Sequence, residues 1–241
     1  MMKCTGFLIC LIFACQLLAS GQHAVAGNPA DSVMPVVACS DFVITGDGSN
    51  PEWNKTSWVT LTQEESASPY FTRFKILYSP RGIYCLYLCG DKNITATMKG
   101  ENLDIYREDV IEAFFWADES VPVYFEYELS PLNYELVLMV PNYHGDFLGW
   151  IPWHYSGDRL TRHAVSMTHN DKDNSLLSWT GEFFIPFELL KPMVQTPPVK
   201  GTRWRANFYR IDYDQPPGHW LWMPVLTNFH DYQHFGTILF E

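Results

Sequence analysis

Acidic side chains at alternate positions of two apolar segments are the feature of this sequence most able to do chemistry. Residues 109–116 run Asp-Val-Ile-Glu-Ala-Phe-Phe-Trp, and residues 123–130 run Val-Tyr-Phe-Glu-Tyr-Glu-Leu-Ser. Side chains alternate across a β-strand, so Val110, Glu112 and Phe114 share one face. In the second segment Tyr124, Glu126 and Glu128 point one way, and Phe125, Tyr127 and Leu129 the other. A face carrying Tyr, Glu and Glu beside another carrying Glu112 is too polar for a core and too aromatic for ordinary solvated surface. Rings that stack, next to carboxylates that accept hydrogen bonds from hydroxyls, are what a sugar requires of a protein.

Other readings of the same residues remain. Glu112, flanked by apolar residues, is either a ligand acceptor or the buried partner of Arg73, Lys75 or Arg210, because a buried unpaired carboxylate is costly. Glu126 and Glu128 either meet a ligand or form a solvated stripe. Their Cα atoms would lie ~6.5–7 Å apart, a spacing open to a glycoside hydrolase, whose two carboxyls sit ~5–9.5 Å apart. Carboxylates side by side on a sheet do not flank a bond, which favours binding over cleavage. Trp150 and Trp153 fall in a Gly- and Pro-containing stretch, 147–154, where two indoles are costly to expose unless they bind something. His163 and Met167 would share one strand face and so raise an extracytoplasmic haem-binding domain as a further alternative. No cofactor is called for. Asp47, Asp91 and Asp118 could help build a structural calcium site, though no contiguous ligand loop is visible.

These residues need a sheet to position them. β-Branched and aromatic runs separated by turn signals predict strands over 72–78, 83–89, 109–116, 123–130, 135–140, 160–168, 177–185, 203–212 and 235–240. Ser79-Pro80-Arg81-Gly82 reads as a hairpin turn. Only 186–191 reads as a short helix, with Pro186 at its start. Many strands and almost no helix predict an all-β fold, a single antiparallel β-sandwich. Trp53, Trp179 and Trp204 lie in apolar alternations and are assigned to its core.

The chain has 241 residues and a net charge of −11, which argues against nucleic acid, whose phosphates demand a basic surface. Residues 1–26 read as a secretory signal peptide: Lys3, an apolar run too short for the ~20 residues of a membrane span, then small residues up to Ala26. Secretion or export to a periplasm follows, with no transmembrane segment. A lipid anchor at Cys15 is the competing reading. Residues 27–41 are assigned to a flexible mature N-terminus and 42–241 to one domain. Outside the leader stand Cys39, Cys85 and Cys89. Cys85 and Cys89 would be ~13 Å apart along one strand, too far to pair. Cys39 could join one of them, or all three could be small buried hydrophobes.

Several segments in order resemble family 9 carbohydrate-binding modules, the β-sandwich modules attached to bacterial xylanases. They are Ile44-Thr45-Gly46-Asp47-Gly48 with Glu52-Trp53, the paired strands ending at Asp91, Asp109-Val110-Ile111-Glu112-Ala113-Phe114, Tyr124–Leu129, Trp179 with Glu182 and Ile185-Pro186-Phe187, Trp204 with Asn207-Phe208 and Arg210, Trp222 with Pro224, and Phe235-Gly236. The resemblance implies a non-catalytic module that holds a mono- or oligosaccharide, often a polysaccharide chain end, in support of breakdown by glycoside hydrolases. It implies two aromatic rings on the terminal sugar, and these map to Tyr106 and Phe229, neither of them the family's Trp. It also implies that Glu112, the Glu126–Glu128 pair and Tyr209 contact ligand. Glu126 and Glu128 are acids where the characterised modules have basic and amide residues.

Overall fold

The computed structural model describes residues 32–241 apart from 65–67, 192 and 194–196. The signal segment 1–26 and the lipid site at Cys15 lie outside the described residues. Fifteen strands follow one another: β1 Val33–Ala38, β2 Val59–Thr60, β3 Thr62–Glu64, β4 Thr72–Tyr78, β5 Gly82–Gly90, β6 Val110–Trp116, β7 Val123–Leu129, β8 Glu135–Tyr143, β9 Asp146–Phe147, β10 Ile151–Pro152, β11 Arg162–His169, β12 Leu176–Pro186, β13 Arg203–Asp212, β14 Gly218–Leu221 and β15 Gly236–Phe240. Short 3-10 turns supply the helical residues. Among the described residues no helix is long and apolar enough to cross a membrane.

The strands form two layers. One runs β10-β8-β7-β6-β13-β15-β1, with β14 and then β3 continuing beside β13; the other runs β1-β4-β5-β12-β11. Strand β1 belongs to both, because Val33–Val36 pair with Thr237–Phe240 and Val37–Ala38 pair with Leu77–Tyr78. Both of these pairings are parallel; every other pairing is antiparallel. The sandwich is therefore mixed. It also draws in part of a segment expected to be flexible: residues 33–38 carry a Pro that weakens a strand signal, yet Met34 and Val36 point into the core and hold them there.

The period-2 reading of β6 and β7 accounts for the core. Ile111, Ala113 and Phe115, with Phe125, Tyr127 and Leu129, face the other layer. Tyr127 stacks on Phe183 of β12 at 4.4 Å, and Phe74 of β4 on Phe208 of β13 at 4.3 Å. The layers approach so closely that a Cβ on Gly181 would come within 2.5 Å of Ile111 Cδ1. Trp53, Trp179 and Trp204 are buried. The 79–82 turn forms, with Ser79 N donating to Gly82 O at 2.9 Å.

The stretch 186–191 departs from expectation. Pro186 stays in the ladder opposite Gly82, so the chain leaves β12 extended and makes successive turns, Leu189 N to Pro186 O and Leu190 N to Phe187 O, instead of a helix. Cys39, Cys85 and Cys89 are buried and unpaired. Burial pushes the Cys39 and Cys89 thiols up to about 12, which leaves them unreactive small hydrophobes.

Two buried charged side chains hold distant segments together, and one of them joins the layers. Glu182 of β12 accepts from Thr45 N at 2.9 Å, Gly46 N at 2.6 Å and Trp53 Nε1 at 2.8 Å, fastening residues 45–53 to the sheet. Arg210 of β13 donates to Gly90 O at 2.8 Å, Asp91 Oδ2 at 2.9 Å and Asp212, and Trp220 lies over its guanidinium at 4.9 Å. Truncating one member of such a buried network strands the others. Arg210→Ala is expected to lower stability by about 3–5 kcal/mol in urea unfolding; a loss under about 1 kcal/mol would show that the knot does not hold the layers.

Candidate functional site

The outer face of the first layer forms the floor of the site. In register across it, Tyr209 of β13 lies opposite Glu112 of β6, Glu112 opposite Glu128 of β7, Phe114 opposite Glu126, and Glu126 opposite Leu138 of β8. The face expected to be outward is not open to solvent: Val110, Phe114, Tyr124, Leu138 and Tyr209 pack against Ile105, Leu221, Tyr232 and Phe235 in a second apolar cluster. Between floor and covering loops lies a cavity of about 320 Å³ whose lining includes Tyr106, Glu112, Glu126, Glu128, Trp150 and Phe229. That volume suits a small ligand.

Its rim is aromatic. Tyr106 stands on the turn Ile105–Arg107 and meets Trp150 edge-on at 6.2 Å. Trp150 is 46% exposed and lies parallel to Phe147 at 6.4 Å, which itself stacks on His230 at 4.2 Å. Phe229 stacks face to face on Tyr209 at 4.0 Å. Tyr209 is thus a buttress: its hydroxyl donates to Phe229 O at 2.9 Å, and it is fully buried beneath that ring, away from the cavity lining. Trp153 also stands apart. Its Nε1 donates to Leu189 O at 2.8 Å and its ring packs on the inter-layer core.

The floor is strongly acidic and unbalanced. Glu112, Glu126 and Glu128 are 3%, 4% and 1% exposed. Burial raises Glu126 to about 7, and burial followed by neighbouring carboxyls holds Glu112 and Glu128 well above the usual range. Glu126 and Glu128 share a side-chain hydrogen bond with each other, and no donor outside the carboxyl cluster reaches Oε2 of either. The cation expected beside Glu112 is absent, because each candidate is engaged elsewhere. Arg210 serves Asp91 and Asp212 on the opposite face of β13, Lys75 donates to Trp53 O, and Arg73 lies over Trp58. The nearest base is His230, whose Nδ1 is 3.8 Å from Glu126 Oε2 and 2.7 Å from the Tyr124 hydroxyl. Burial lowers His230 to about 4, so it is neutral at pH 7.

The cavity also gathers residues that local patterning does not single out: Glu64, Ile211, His219, Asn228 and His230. Glu64 and His219 meet because the short strands β3 and β14 pair. Asn228-Phe229-His230 precedes the closing Phe235-Gly236, and only its polar–aromatic alternation hints at a site.

The possible calcium ligands do not converge. Asp47 accepts from Thr45 and Ser49, Asp91 from Arg210 and Trp179, and Asp118 from Ser120. Among the described residues one trio, Glu101, Glu135 and His163, brings three ligand atoms within 4.8 Å. His163 is therefore turned toward carboxylates, and its Nδ1 meets Asn133 Oδ1 at 3.0 Å.

The fold recurs in solved structures. A Bacteroides uniformis protein proposed to bind carbohydrate superposes with a TM-score of 0.70 at 18% identity, over 87% of this chain and 99% of that one. A family 9 carbohydrate-binding module from Caldicellulosiruptor kristjanssonii, solved with glucose and with cellotriose, gives 0.62 at 15% identity in each complex. It covers 87% of this chain and 96% or 94% of the other. No curated protein sequence matches the chain. The sequence model of carbohydrate-binding family 9 matches residues 52–240, and the order of motifs from Glu52-Trp53 to Phe235-Gly236 runs through that span. This chain belongs to carbohydrate-binding family 9.

Proposed function

We propose that the chain holds a short oligosaccharide or a polysaccharide chain end in the cavity of the first layer, in support of glycoside hydrolases acting on the same polymer. One observation carries this reading: an aromatic rim of Tyr106, Trp150 and Phe229 stands over a floor of Glu112, Glu126 and Glu128 in one cavity. Sugar rings stack on the rim, and hydroxyls donate to the floor. The glucose and cellotriose complexes of the Caldicellulosiruptor module support the ligand class. Catalysis is not part of the proposal, since Glu112 and Glu128 are cross-strand neighbours on the floor and do not flank a bound ring.

Tyr106→Ala and Trp150→Ala should each weaken binding of the best ligand from a glycan array by about 1–3 kcal/mol in calorimetry. Melting temperature should barely move, because both rings are partly exposed. The unsubstituted protein should release no reducing sugar from xylan or cellulose. Full affinity in both variants, or turnover lost in Glu112→Gln, would overturn this assignment.

We also propose that residues 1–26 direct export and that 42–241, with strand β1 packed into it, act as one binding domain. Mass spectrometry of protein from the native host should find a mature chain starting between Gln22 and Gly27; a diacylglyceryl group on Cys15 would refute that.

The acids also set a pH dependence. Folding raises Asp109 and Glu126 to about 7, and Glu112 and Glu128 well above their ordinary values. A carboxyl raised by folding contributes stability that is fully present below its unfolded pKa, ~4. That stability is lost as pH climbs through the folded value. His230, lowered to about 4, works in the opposite sense, but its effect fades as pH passes the unfolded value, ~6.5. Stability in urea is therefore expected to fall between pH 6.5 and 8.5, with a shallower slope in Glu126→Gln. A flat or rising profile would contradict the electrostatic account.

A further inference from the structure

Three buried carboxyls share one patch with no cation beside them, so burial favours their protonated form until a ligand brings a positive charge, and neutral sugar hydroxyls bring none. The floor residues face each other in register, Glu112 against Glu128 with Glu126 two positions along. Around the cavity the remaining titratable groups offer no fixed cation. Tyr124 on β7 and Tyr209 on β13 are neutral phenols, and Glu64 on β3 adds a further acid at the rim. His219 on β14 and His230 in the covering loop are imidazoles, with His230 held neutral by burial. Asp231 accepts from Leu226 N and faces His234. Arg107, beside Tyr106 at the mouth, is exposed and paired with Asp104 at 3.4 Å. A metal ion is a poor fit, since among the described residues only Glu101, Glu135 and His163 bring three ligand atoms within 4.8 Å of one another.

The walls point to the same missing charge. Aromatic faces attract cations as well as sugar rings, and cages of rings with carboxylates are a recurring solution for ammonium groups. An ammonium also carries three N–H donors and no acceptor, which suits a floor made of acceptors. Oε2 of Glu126 and of Glu128, both buried, have no donor other than a neighbouring carboxyl.

We propose that the preferred ligand is a protonated amino sugar, its ring on the Tyr106, Trp150 and Phe229 rim and its ammonium against the acidic floor at Glu126 and Glu128. This rests on the carbohydrate-binding reading above and names the sugar class for the same cavity. Without ligand, raised pKa values keep protons on the floor. When the ammonium arrives with its own proton, one floor carboxyl ionises to form a charge-assisted hydrogen bond and passes its proton to the buffer. A neutral sugar leaves those protons in place.

The test is calorimetry on the full chain at pH 7 with β-1,4-linked glucosamine oligomers, the same oligomers N-acetylated, and cello-oligosaccharides of equal length. The glucosamine oligomers should bind about tenfold tighter or more than either neutral series, as charge-assisted bonds exceed neutral ones, and should lose affinity as salt rises. In buffers of different ionisation enthalpy they alone should show proton release. Glu128→Gln, close in shape, should bring the amino and neutral affinities within about threefold of one another. The ligand comparison stands even where that variant fails to fold. Cello-oligosaccharides binding as well as or better than glucosamine oligomers would overturn the amino-sugar assignment and leave the carbohydrate reading intact. Binding of none of the three would overturn both.

Discussion

The fold near the site depends on one buried guanidinium. Arg210 lies on the inner face of β13 while its neighbours Tyr209 and Ile211 face outward, so the strand that carries the inter-layer knot also supplies part of the outer face. Its bonds to Gly90 O and Asp91 tie β13 to the end of β5, and Asp212 completes the pair. The chain beyond is held by further acids. Asp109 accepts from Thr95 N and Tyr213 N, and Asp214 accepts from Tyr70, Asn93 and Thr95. The Tyr213 hydroxyl then donates to Tyr106 O at 3.0 Å. A rim aromatic is thereby positioned by a sequence of hydrogen bonds that begins in the core.

The two faces of the first layer obey opposite rules. The inner face is apolar and packed ring against ring, as in the Tyr127–Phe183 and Phe74–Phe208 stacks, and burial there favours folding. The outer face buries three carboxyls that oppose it. Leucine at those positions would fill the space at lower cost, so these acids break the rule that the inner face obeys. Where a local rule is broken this deliberately, the broken rule is the pointer to the site.

The rim shows how loops finish what the sheet begins. Trp150 follows the short strand β9, Phe229 and His230 belong to the segment before Phe235-Gly236, and Tyr106 comes from the turn ahead of β6. None of these segments has a periodic pattern of its own. They are held by aromatic contacts with one another and with the sheet: Phe147 on His230, and Phe229 on Tyr209. Trp153, only three residues past Trp150, is claimed instead by the core through Leu189.

The strands, and which way each side chain on them points, follow from the local pattern of residues, because a period of two is a local property of extended backbone. Nine strands, the hairpin at 79–82, the inward Phe125-Tyr127-Leu129 set and the shared face of Glu112, Glu126 and Glu128 were all legible. Tertiary structure alone decided whether that face met water, since this depends on residues 225–235 folding back more than a hundred positions from β6. It decided that Arg210, a candidate partner of Glu112, turns inward to Asp91. It also decided that Tyr209 supports a ring from beneath, and that 33–38 joins the layers through long-range parallel pairing. Contacts between distant segments leave no periodic trace in either partner. For that reason the chemistry of the floor could be read from the chain, while its enclosure and its missing cation could not.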